Sequence, residues 1–388
     1  MKMKKIVFGF ALMMGATLLT GCLGDDTTNN EGEPIIVTQG ALVINNGNES
    51  SGIDGSLSYL DFATRLPQQN VYKKANNNRS LGITPNDVIV YGQKVYITGF
   101  QENTIFVLNA KTFEEIERVS TTELLGEEGG YGPRRLAAYG DKVYFTTYGG
   151  YVAGIDTVNF KTTSSSSFKV DHYPEGLVIK ESSDGKSAIL YVANSDWGMG
   201  GGYISKINLS TGTILPTISH ELIRNPQSIL VSGDVLYVLD WGYYDANDNY
   251  AQKGAGVYRI DGDDVKLISE ATGMAGANYS IITFNDPYNN PNGPSFSVYD
   301  VRTKRSTPLT LRGDSDHPIV SPCAIAIDPY WGYILIASRQ MDQDTGFVNS
   351  ALPGFVNMYD NSGNFIDSYN TGVEPYKIEF TYGTTTLN

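Results

Sequence analysis

The chain repeats one pattern of apolar and polar positions. Within residues 173–216, two apolar runs at 176–180 and 188–193 flank a turn that contains Asp-Gly. Such a turn favours a β-hairpin, because Gly adopts positive φ without a Cβ clash. A third run, 204–209, alternates apolar and polar residues as a strand with one buried face does. With a fourth short run near 213–215, this segment is predicted to form a four-stranded antiparallel meander.

The same pattern returns along the chain at a regular interval. A proline precedes the first apolar run of the repeats at Pro85, Pro133, Pro174, Pro226 and Pro322. The second runs are separated by 48, 47 and 46 residues and begin at Val95, Val143, Leu190 and Leu236. A period of this length with four strands per unit is typical of β-propeller blades. Since one blade cannot bury both faces of its sheet, the blades must stack around an axis.

Two imperfect regions complete the count of blades. Residues 41–45 and 57–62 resemble second and third strands that lack a first strand, and the tail at 376–382 resembles a first strand without a second. Pairing the tail with 41–45 closes the ring and leaves no open sheet edge. A weaker unit lies at 279–284 and 295–302.

In that weaker unit Ala277-Asn278 stand where the other repeats have the leading proline. The best helix candidate is residues 112–118, which is short. The sequence therefore predicts an all-β fold, a seven-bladed β-propeller of four-stranded antiparallel blades whose ring is closed by the C-terminal strand.

The N-terminal region carries the features of an export signal. Residues 1–5 are basic, and the apolar run 6–19 is too short to span a bilayer. We interpret 1–21 as a lipoprotein signal peptide, 22–36 as an acylated Cys22 with a flexible tether, and 37–388 as the propeller. The alternative is an ordinary signal peptide followed by a chance cysteine.

The charge of the chain excludes one class of partner. The formal net charge is −14, and it becomes −17 when residues 1–21, which hold three Lys, are removed. Phosphate backbones are bound by clusters of Lys and Arg, so this acidity argues against nucleic acid as a partner.

The loops of the two propeller faces differ in length. The turns between strands one and two, and three and four, are short. The loops between strands two and three, which share the other face with the blade-to-blade connections, are long and irregular, as at 45–56, 194–203, 240–256, 285–295 and 338–355. Long loops on a rigid scaffold commonly carry function, so we expect the binding site on this second face.

Aromatic and polar side chains are concentrated in these loops. Rings provide contact area at low entropic cost, and with polar neighbours they suit a large, partly flat ligand that has many hydrogen-bonding groups. The triplet Asp-Trp-Gly occurs at 196–198 and 240–242, at what we expect to be the same blade position. The alternative is that the Trp residues brace their own loops against a neighbouring blade. The candidate binding residues are Phe100, Tyr131, Tyr148, Tyr173, Asn194, Asp196, Trp197, Asp240, Trp241, Tyr243, Tyr244, Asn285, Tyr288 and Gln340.

Other chemistry has little support in the sequence. Asp245, Asn247 and Asn249 begin like a calcium loop, but the later Glu that such a loop requires is missing. We expect no metal and no cofactor, with a structural calcium at these three residues as the alternative. No nucleophile or H-E-x-x-H motif is present, so we expect a binding protein and no enzyme. Cys323 lies in the first strand of the last blade and is expected to behave as a small apolar residue.

The repeated pieces and the N-terminus resemble known families. Pro-x-x-(Ile/Leu), (Val/Leu)-Tyr-(Ile/Phe/Val) and Ile-Asn/Asp-x-x-Thr resemble the YncE-like β-propellers. Leu19-Thr20-Gly21-Cys22 resembles a bacterial lipobox, and Asp25-Asp26 resembles the signal that sends Bacteroidetes lipoproteins to the cell surface. With the aromatic loops, the chain resembles the BtuG cobalamin-binding lipoproteins.

That resemblance implies a function. A surface lipoprotein of this family captures cobalamin (vitamin B12) and passes it to an outer-membrane TonB-dependent transporter resembling BtuB. It implies attachment to the outer membrane at the cell surface, with membrane contact through the lipid anchor only. The alternatives are a surface lipoprotein that binds a glycan, another tetrapyrrole or a protein, and a propeller enzyme.

Overall fold

The computed structural model of the chain describes residues 34–171, 173–288 and 290–386. The expected signal peptide, Cys22 and the tether up to residue 33 lie outside the described residues. Residues 36–383 form one compact unit, and the described residues 34–35 and 384–386 are assigned to a second unit. In the part of the chain that the structure describes, no helix has the length and apolarity needed to cross a membrane.

Seven four-stranded antiparallel sheets form the blades of a propeller, which confirms the predicted fold class. We number the blades along the chain and the strands from the axis outwards. The strands of blades 2 to 4 are Pro85–Tyr91, Lys94–Gly99, Thr104–Asn109 and Glu115–Ser120; Pro133–Tyr139, Lys142–Thr147, Tyr151–Asp156 and Ser167–Lys169; and Pro174–Glu181, Ala188–Asn194, Tyr203–Asn208 and Thr213–Ile218. Those of blades 5 to 7 are Pro226–Ser232, Val235–Asp240, Gly256–Asp261 and Asp264–Glu270; Gly273–Ala277, Ser280–Asn285, Ser295–Asp300 and Arg305–Pro308; and Pro322–Ile327, Ile334–Ser338, Pro353–Tyr359 and Phe365–Val373.

Blade 1 joins the two ends of the propeller, as the sequence predicted. The C-terminal strand is its innermost strand and lies beside the first strand that the structure describes. Nearby, Asn46 N–H donates to the Glu374 carbonyl at 2.8 Å, and Gly372 N–H donates to Asn45 Oδ1 at 3.1 Å. From the axis outwards, the strands of blade 1 are Pro375–Thr386, Pro34–Asn45, Ser56–Asp61 and Leu66–Gln68.

The remaining elements are short and lie in the connections. A small hairpin lies in the long loop of blade 5. These elements are the α-helices Val71–Ala75 and Thr121–Leu125, the 3-10 turns Glu49–Ser51, Ser164–Ser166 and Asp196–Gly198, and the hairpin strands Tyr243–Asp245 and Ala251–Lys253.

Two expectations about secondary structure were wrong. The helix candidate at 112–118 instead contributes to Glu115–Ser120, the outermost strand of blade 2, because backbone pairing with Thr104–Asn109 outweighs its weak helical periodicity. In blade 6, Ala277-Asn278 do not stand in for the leading proline. Ala277 ends the first strand, Gly273–Ala277, and Asn278 begins the turn that follows. The small residues of this strand show no alternation of apolar and polar side chains.

Apolar side chains fill the space between each pair of neighbouring blades within the described residues. The core between blades 7 and 1 includes Leu335 and Val356 from one side and Val43 and Phe380 from the other. Both faces of each blade are thereby buried, which is why a single blade would not be stable on its own.

A β-bulge follows the leading proline in blades 2, 3, 4, 5 and 7. A bulge sets two residues against one on the partner strand and re-aims their side chains. Consecutive residues therefore reach the axis, as Gln227 and Ser228 do in blade 5 and Cys323 and Ala324 do in blade 7. This geometry places the polar groups at the centre of the propeller.

Candidate functional site

Five of the predicted rings form one continuous row across blades 2 to 4. Between ring centroids, Phe100 lies 5.6 Å from Tyr131 and 5.3 Å from Tyr148. Trp197 lies 5.0 Å from Tyr173 and 5.6 Å from Tyr148. These distances, with edge-to-face angles for three pairs and a tilted angle for Tyr173 and Trp197, are those of stabilising aromatic pairs. Tyr131 and Trp197 keep 48% and 62% of their surface exposed, so this aromatic row offers rings to solvent.

Left-handed backbone holds Trp197 against the row. Asp196, Trp197 and Gly198 have φ values of 49°, 52° and 72°. Such a conformation costs a non-glycine residue about 1–3 kcal/mol, and it is concentrated at binding and active sites. The turn carries the indole of blade 4 onto the Tyr148 ring of blade 3.

A buried ion pair supports the aromatic row. Arg134 donates to Glu175 Oε2 through Nη2 at 2.9 Å and through Nε at 3.1 Å. The guanidinium lies 4.7 Å from the ring centroid of Tyr148 and 5.7 Å from that of Phe100. Tyr148 donates its hydroxyl to Glu175 Oε1, and Arg134 Nη1 donates to Asn86 Oδ1 at 2.7 Å. Side chains from blades 2, 3 and 4 are thereby fixed relative to one another.

Burial and charge set the protonation of this group. Burial raises the pKa of Tyr148, and the Glu175 carboxylate raises it further. Burial is the largest single effect on Arg134 and would lower its pKa, but the charge of Glu175, its hydrogen bond, and the neighbouring Tyr376 and Tyr148 together outweigh burial, and the pKa is raised. Tyr148 therefore remains a hydrogen-bond donor, and Arg134 remains a cation, across the physiological pH range.

The segments that carry the row are acidic in sequence. The segments that carry its rings, 100–103, 126–132, 148–150, 170–173 and 195–202, contain no Lys or Arg. Arg134, which lies outside these segments, is paired with Glu175. These segments therefore carry a net negative charge. Their carboxylates are Glu102, Glu127, Glu128, Asp171 and Asp196.

Three other predicted Tyr residues lie on blades 5 and 6. Tyr244 and Tyr288 are 6.5 Å apart between centroids, and both are exposed. The Arg224 guanidinium lies 4.9 Å from the centroid of Tyr243. These rings form a second, smaller group beyond blade 4.

Trp241 has a bracing contact. Its indole N–H donates to the Thr272 carbonyl at 3.1 Å, just before blade 6 begins. The side chain is half-buried and lines the cavity on the propeller axis. Trp241 thus links blade 5 to blade 6, which is the structural alternative considered for the Trp residues.

The two Asp-Trp-Gly triplets do not occupy the same blade position, contrary to expectation. Asp240 is the last residue of its strand and lies opposite Pro226. The equivalent residue in blade 4 is Asn194, which lies opposite Pro174. Asp196 follows two residues later, so the match between the triplets does not reflect strand register.

Asn194 and Asp240 are buried and hydrogen-bonded within their own blades. Asn194 Nδ2 donates to Ser205 Oγ at 2.9 Å. Asp240 Oδ2 accepts the backbone N–H groups of Arg224 at 2.8 Å and Asn225 at 2.9 Å. Burial raises the pKa of Asp240 to about 6. These contacts give both residues a structural role.

The remaining candidates are spread over three blades. Asp196 is half-exposed beside Trp197 and accepts Gly201 N–H at 3.1 Å. Asn285 ends the second strand of blade 6. Gln340 follows the second strand of blade 7 and is half-buried. Of these three, the structure places Asp196 with the aromatic row.

In the loop considered as a possible calcium site, the Lys253 ammonium already lies beside the carboxylates. Lys253 Nζ lies 2.8 Å from Asp245 Oδ2 and 2.9 Å from Asp248 Oδ2. Asp245 Oδ1 accepts the backbone N–H of Asn247. Binding calcium through Asp245, Asn247 and Asn249 would require the Lys253 ammonium to move away.

A cavity of about 240 Å³ lies on the axis and is lined by the first strands of all seven blades. Cys323 is one of its lining residues, and burial raises the pKa of its thiol to about 12. The thiol therefore remains protonated at neutral pH, in keeping with a packing role. We call this space the axial cavity.

Sequence reasoning missed the residues that support the aromatic row. Asn86, Arg134 and Glu175 are each the residue that follows the leading proline of a blade. Because the blades are equivalent, these residues of neighbouring blades lie next to one another near the axis, and Arg134 contacts both Asn86 and Glu175. Comparing the position after each proline would have found them. Gln227, Cys323 and Tyr376 hold that position in blades 5, 7 and 1.

Comparisons with known proteins support the fold and give no activity. Residues 39–169 match the family described as "Domain of unknown function (DUF5074)". No curated protein matches the chain in sequence.

Solved structures align with the chain at low sequence identity. Kuenenia stuttgartiensis Hydrazine Synthase is similar with a TM-score of 0.52 and 16% identity, over 71% of this chain and 76% of that chain. The RRP9 WD40 repeats align with a TM-score of 0.49 and 9% identity, over 73% and 78% of the two chains. At these identities the likeness concerns the fold alone.

Proposed function

We propose that the protein is a surface lipoprotein that captures cobalamin on the aromatic row. The observation that carries this proposal is a row of rings that is open to solvent at Tyr131 and Trp197 and fixed from within by Arg134 and Glu175. Cobalamin has apolar corrin edges that suit such rings. A pre-formed surface loses little conformational entropy when it binds, which favours affinity.

The charge around the row supports cobalamin over other tetrapyrroles. The primary amides of cobalamin donate hydrogen bonds that carboxylates such as Glu128 and Asp196 accept. A tetrapyrrole bearing carboxylates, such as haem, would meet like charge at the same rim. A glycan remains the comparison ligand, because sugars also stack on exposed Trp.

The cellular setting of the proposal rests on the resemblances at the N-terminus. A lipid on Cys22 would hold the propeller at the outer membrane. We propose that the vitamin then passes to a TonB-dependent transporter resembling BtuB. The acidic body fits a soluble domain held off an anionic surface.

Calorimetry tests the ligand and the face together. The protein from residue 22 onwards, carrying Cys22→Ala to prevent acylation, is titrated with cyanocobalamin, haem and a panel of glycans. We expect binding of cyanocobalamin at micromolar concentration or below. Trp197→Ala should weaken the binding of cyanocobalamin by about 2–4 kcal/mol, the range for a central aromatic contact.

The chain offers a matched control on the opposite face. Trp331 is similarly exposed, at 56%, but lies in the turn between the first two strands of blade 7. Trp331→Ala should leave affinity unchanged. If Trp197→Ala and Trp331→Ala lose equal affinity for cyanocobalamin, the binding site is not on the face that carries the aromatic row. If the parent binds a glycan or haem and no cobalamin, the ligand is wrong.

A further inference from the structure

The axial cavity is separate from the aromatic row, and a second set of residues lines it. These residues stand two positions after the leading prolines. Gly176 and Ala324 are small and leave the space open, while Arg135, Ser228 and Lys377 are hydrogen-bond donors. A Cβ at Gly176 would lie 2.8 Å from the backbone of Ser228, so the close packing of blades 4 and 5 requires a glycine at this position.

Arg135 brings a cation to the cavity without a carboxylate hydrogen-bond partner among the described residues. Its Nη1 donates to the Asn86 carbonyl at 2.9 Å, and its Nη2 donates to the Tyr376 hydroxyl at 3.0 Å. A guanidinium has five N–H donors. The other three have no acceptor within the described part of the chain. Arginine in such a setting binds carboxylate or phosphate groups in a bidentate manner.

The other donors of the cavity are also incompletely used. Lys377 Nζ lies 3.7 Å from Asp87 Oδ1, beyond hydrogen-bond distance. The Ser228 hydroxyl has no hydrogen bond to any residue that the structure describes. Asp87 already accepts the N–H groups of Val88 and Leu136. The lining therefore has one more cation than anions and an excess of donors.

We propose that the axial cavity binds a small oxyanion, a carboxylate or phosphate group, through Arg135, Lys377 and Ser228. The bound oxygens would take up the unused donors and balance the charge of Arg135, because buried charges are favourable only when they are paired. This inference does not depend on cobalamin binding by the aromatic row.

Melting temperatures in matched salts test the proposal. Sodium phosphate, acetate and chloride are compared at constant ionic strength and about pH 6, where Glu379, the next carboxylate on the C-terminal strand, is mostly protonated because burial raises its pKa to about 7. The protein is the Cys22→Ala chain from residue 22 onwards. We expect a saturable rise of the melting temperature with phosphate or acetate, relative to chloride.

Variants assign the effect to the cavity. Arg135→Gln should weaken oxyanion binding at least about tenfold, the loss expected for a charge-assisted hydrogen bond. Lys377→Gln and Ser228→Ala, which disturb fewer contacts, should each weaken it several-fold. The exposed Arg302→Gln is the control and should bind as the parent does. No saturable rise, an equal effect of chloride, or full affinity in both Arg135→Gln and Lys377→Gln would overturn the proposal.

Discussion

The Tyr148 hydroxyl donates a 2.5 Å hydrogen bond to Oε1 of Glu175, which joins a ring of blade 3 to a carboxylate of blade 4. The same carboxylate holds Arg134, whose guanidinium stacks on the Tyr148 ring. The ring is thus fixed at its face and at its hydroxyl. This arrangement makes the aromatic row a rigid surface and ties its geometry to the packing of neighbouring blades.

Glu175→Gln should destabilise the fold. The substitution leaves the buried Arg134 without its counter-charge, and removing one partner of a buried pair costs about 3–5 kcal/mol. Urea unfolding of the parent and the variant measures the difference in the free energy of unfolding.

An exposed pair supplies the control for this prediction. Asp141 Oδ1 lies 2.8 Å from Lys142 Nζ in a surface turn. Asp141→Asn should lower the free energy of unfolding by less than about 1 kcal/mol. A loss of similar size in Glu175→Gln would mean that the pair between blades 3 and 4 adds little to stability.

The repeat made the architecture predictable. The leading prolines and the 46–48-residue spacing define blades, and the unpaired strand near residue 41 required a partner at the C-terminus. Blade 6 was harder, because Gly273–Ala277 is made of small residues and Met274, with no alternation of polar and apolar side chains. Its position is fixed by pairing with Ser280–Asn285, which is a tertiary effect.

The site was predictable only in part. Loop position correctly grouped aromatic residues such as Phe100 and Trp197 on one face. The polarity of Asn194 and Asp240 did not reveal that both side chains are buried, because strand ends need buried acceptors and donors as much as surfaces do. The bulge after the leading proline determines which side chains meet at the axis. The position of this bulge depends on strand pairing, and the type of a single residue does not reveal it.

Removing the C-terminal strand should open the ring. Deletion of 375–388 exposes the edge of Pro34–Asn45 and removes Ile378 and Phe380 from the core between blades 7 and 1. We expect aggregation, or a melting temperature lower by roughly 10 °C or more. Deletion of 384–388 alone is the control and should have a much smaller effect. Identical melting curves for the two deletions would contradict closure by this strand.

Cys22→Ala should release the protein from the membrane without unfolding it. The prediction follows from the lipobox resemblance, in which the thiol of Cys22 carries the lipid and signal peptidase II cuts before this residue. Fractionation of cells should move the protein out of the outer-membrane fraction. Its circular dichroism spectrum should match that of the parent. If the variant stays with the outer membrane after a salt wash, the lipid is not the anchor.

Stability should fall with rising pH because of Glu379. Burial raises its pKa to about 7, whereas an unfolded Glu titrates near 4.3. Between these values the folded state binds more protons than the unfolded state, so the free energy of unfolding decreases as pH rises from about 4.5 to about 7. Below this pH window Glu379 is protonated in both the folded and the unfolded state. Above it Glu379 is ionised in both states, and the free energy of unfolding falls no further.

Glu379→Gln isolates this contribution, because the amide keeps the shape of the side chain and cannot ionise. We expect the variant to match the parent near pH 4 and to be more stable near pH 8 by roughly 1–3 kcal/mol. Chemical unfolding at a series of pH values measures the difference. Glu127→Gln, at an exposed position, is the control and should follow the parent throughout. Parallel pH curves for Glu379→Gln and the parent would show that Glu379 is already ionised at neutral pH in the folded protein.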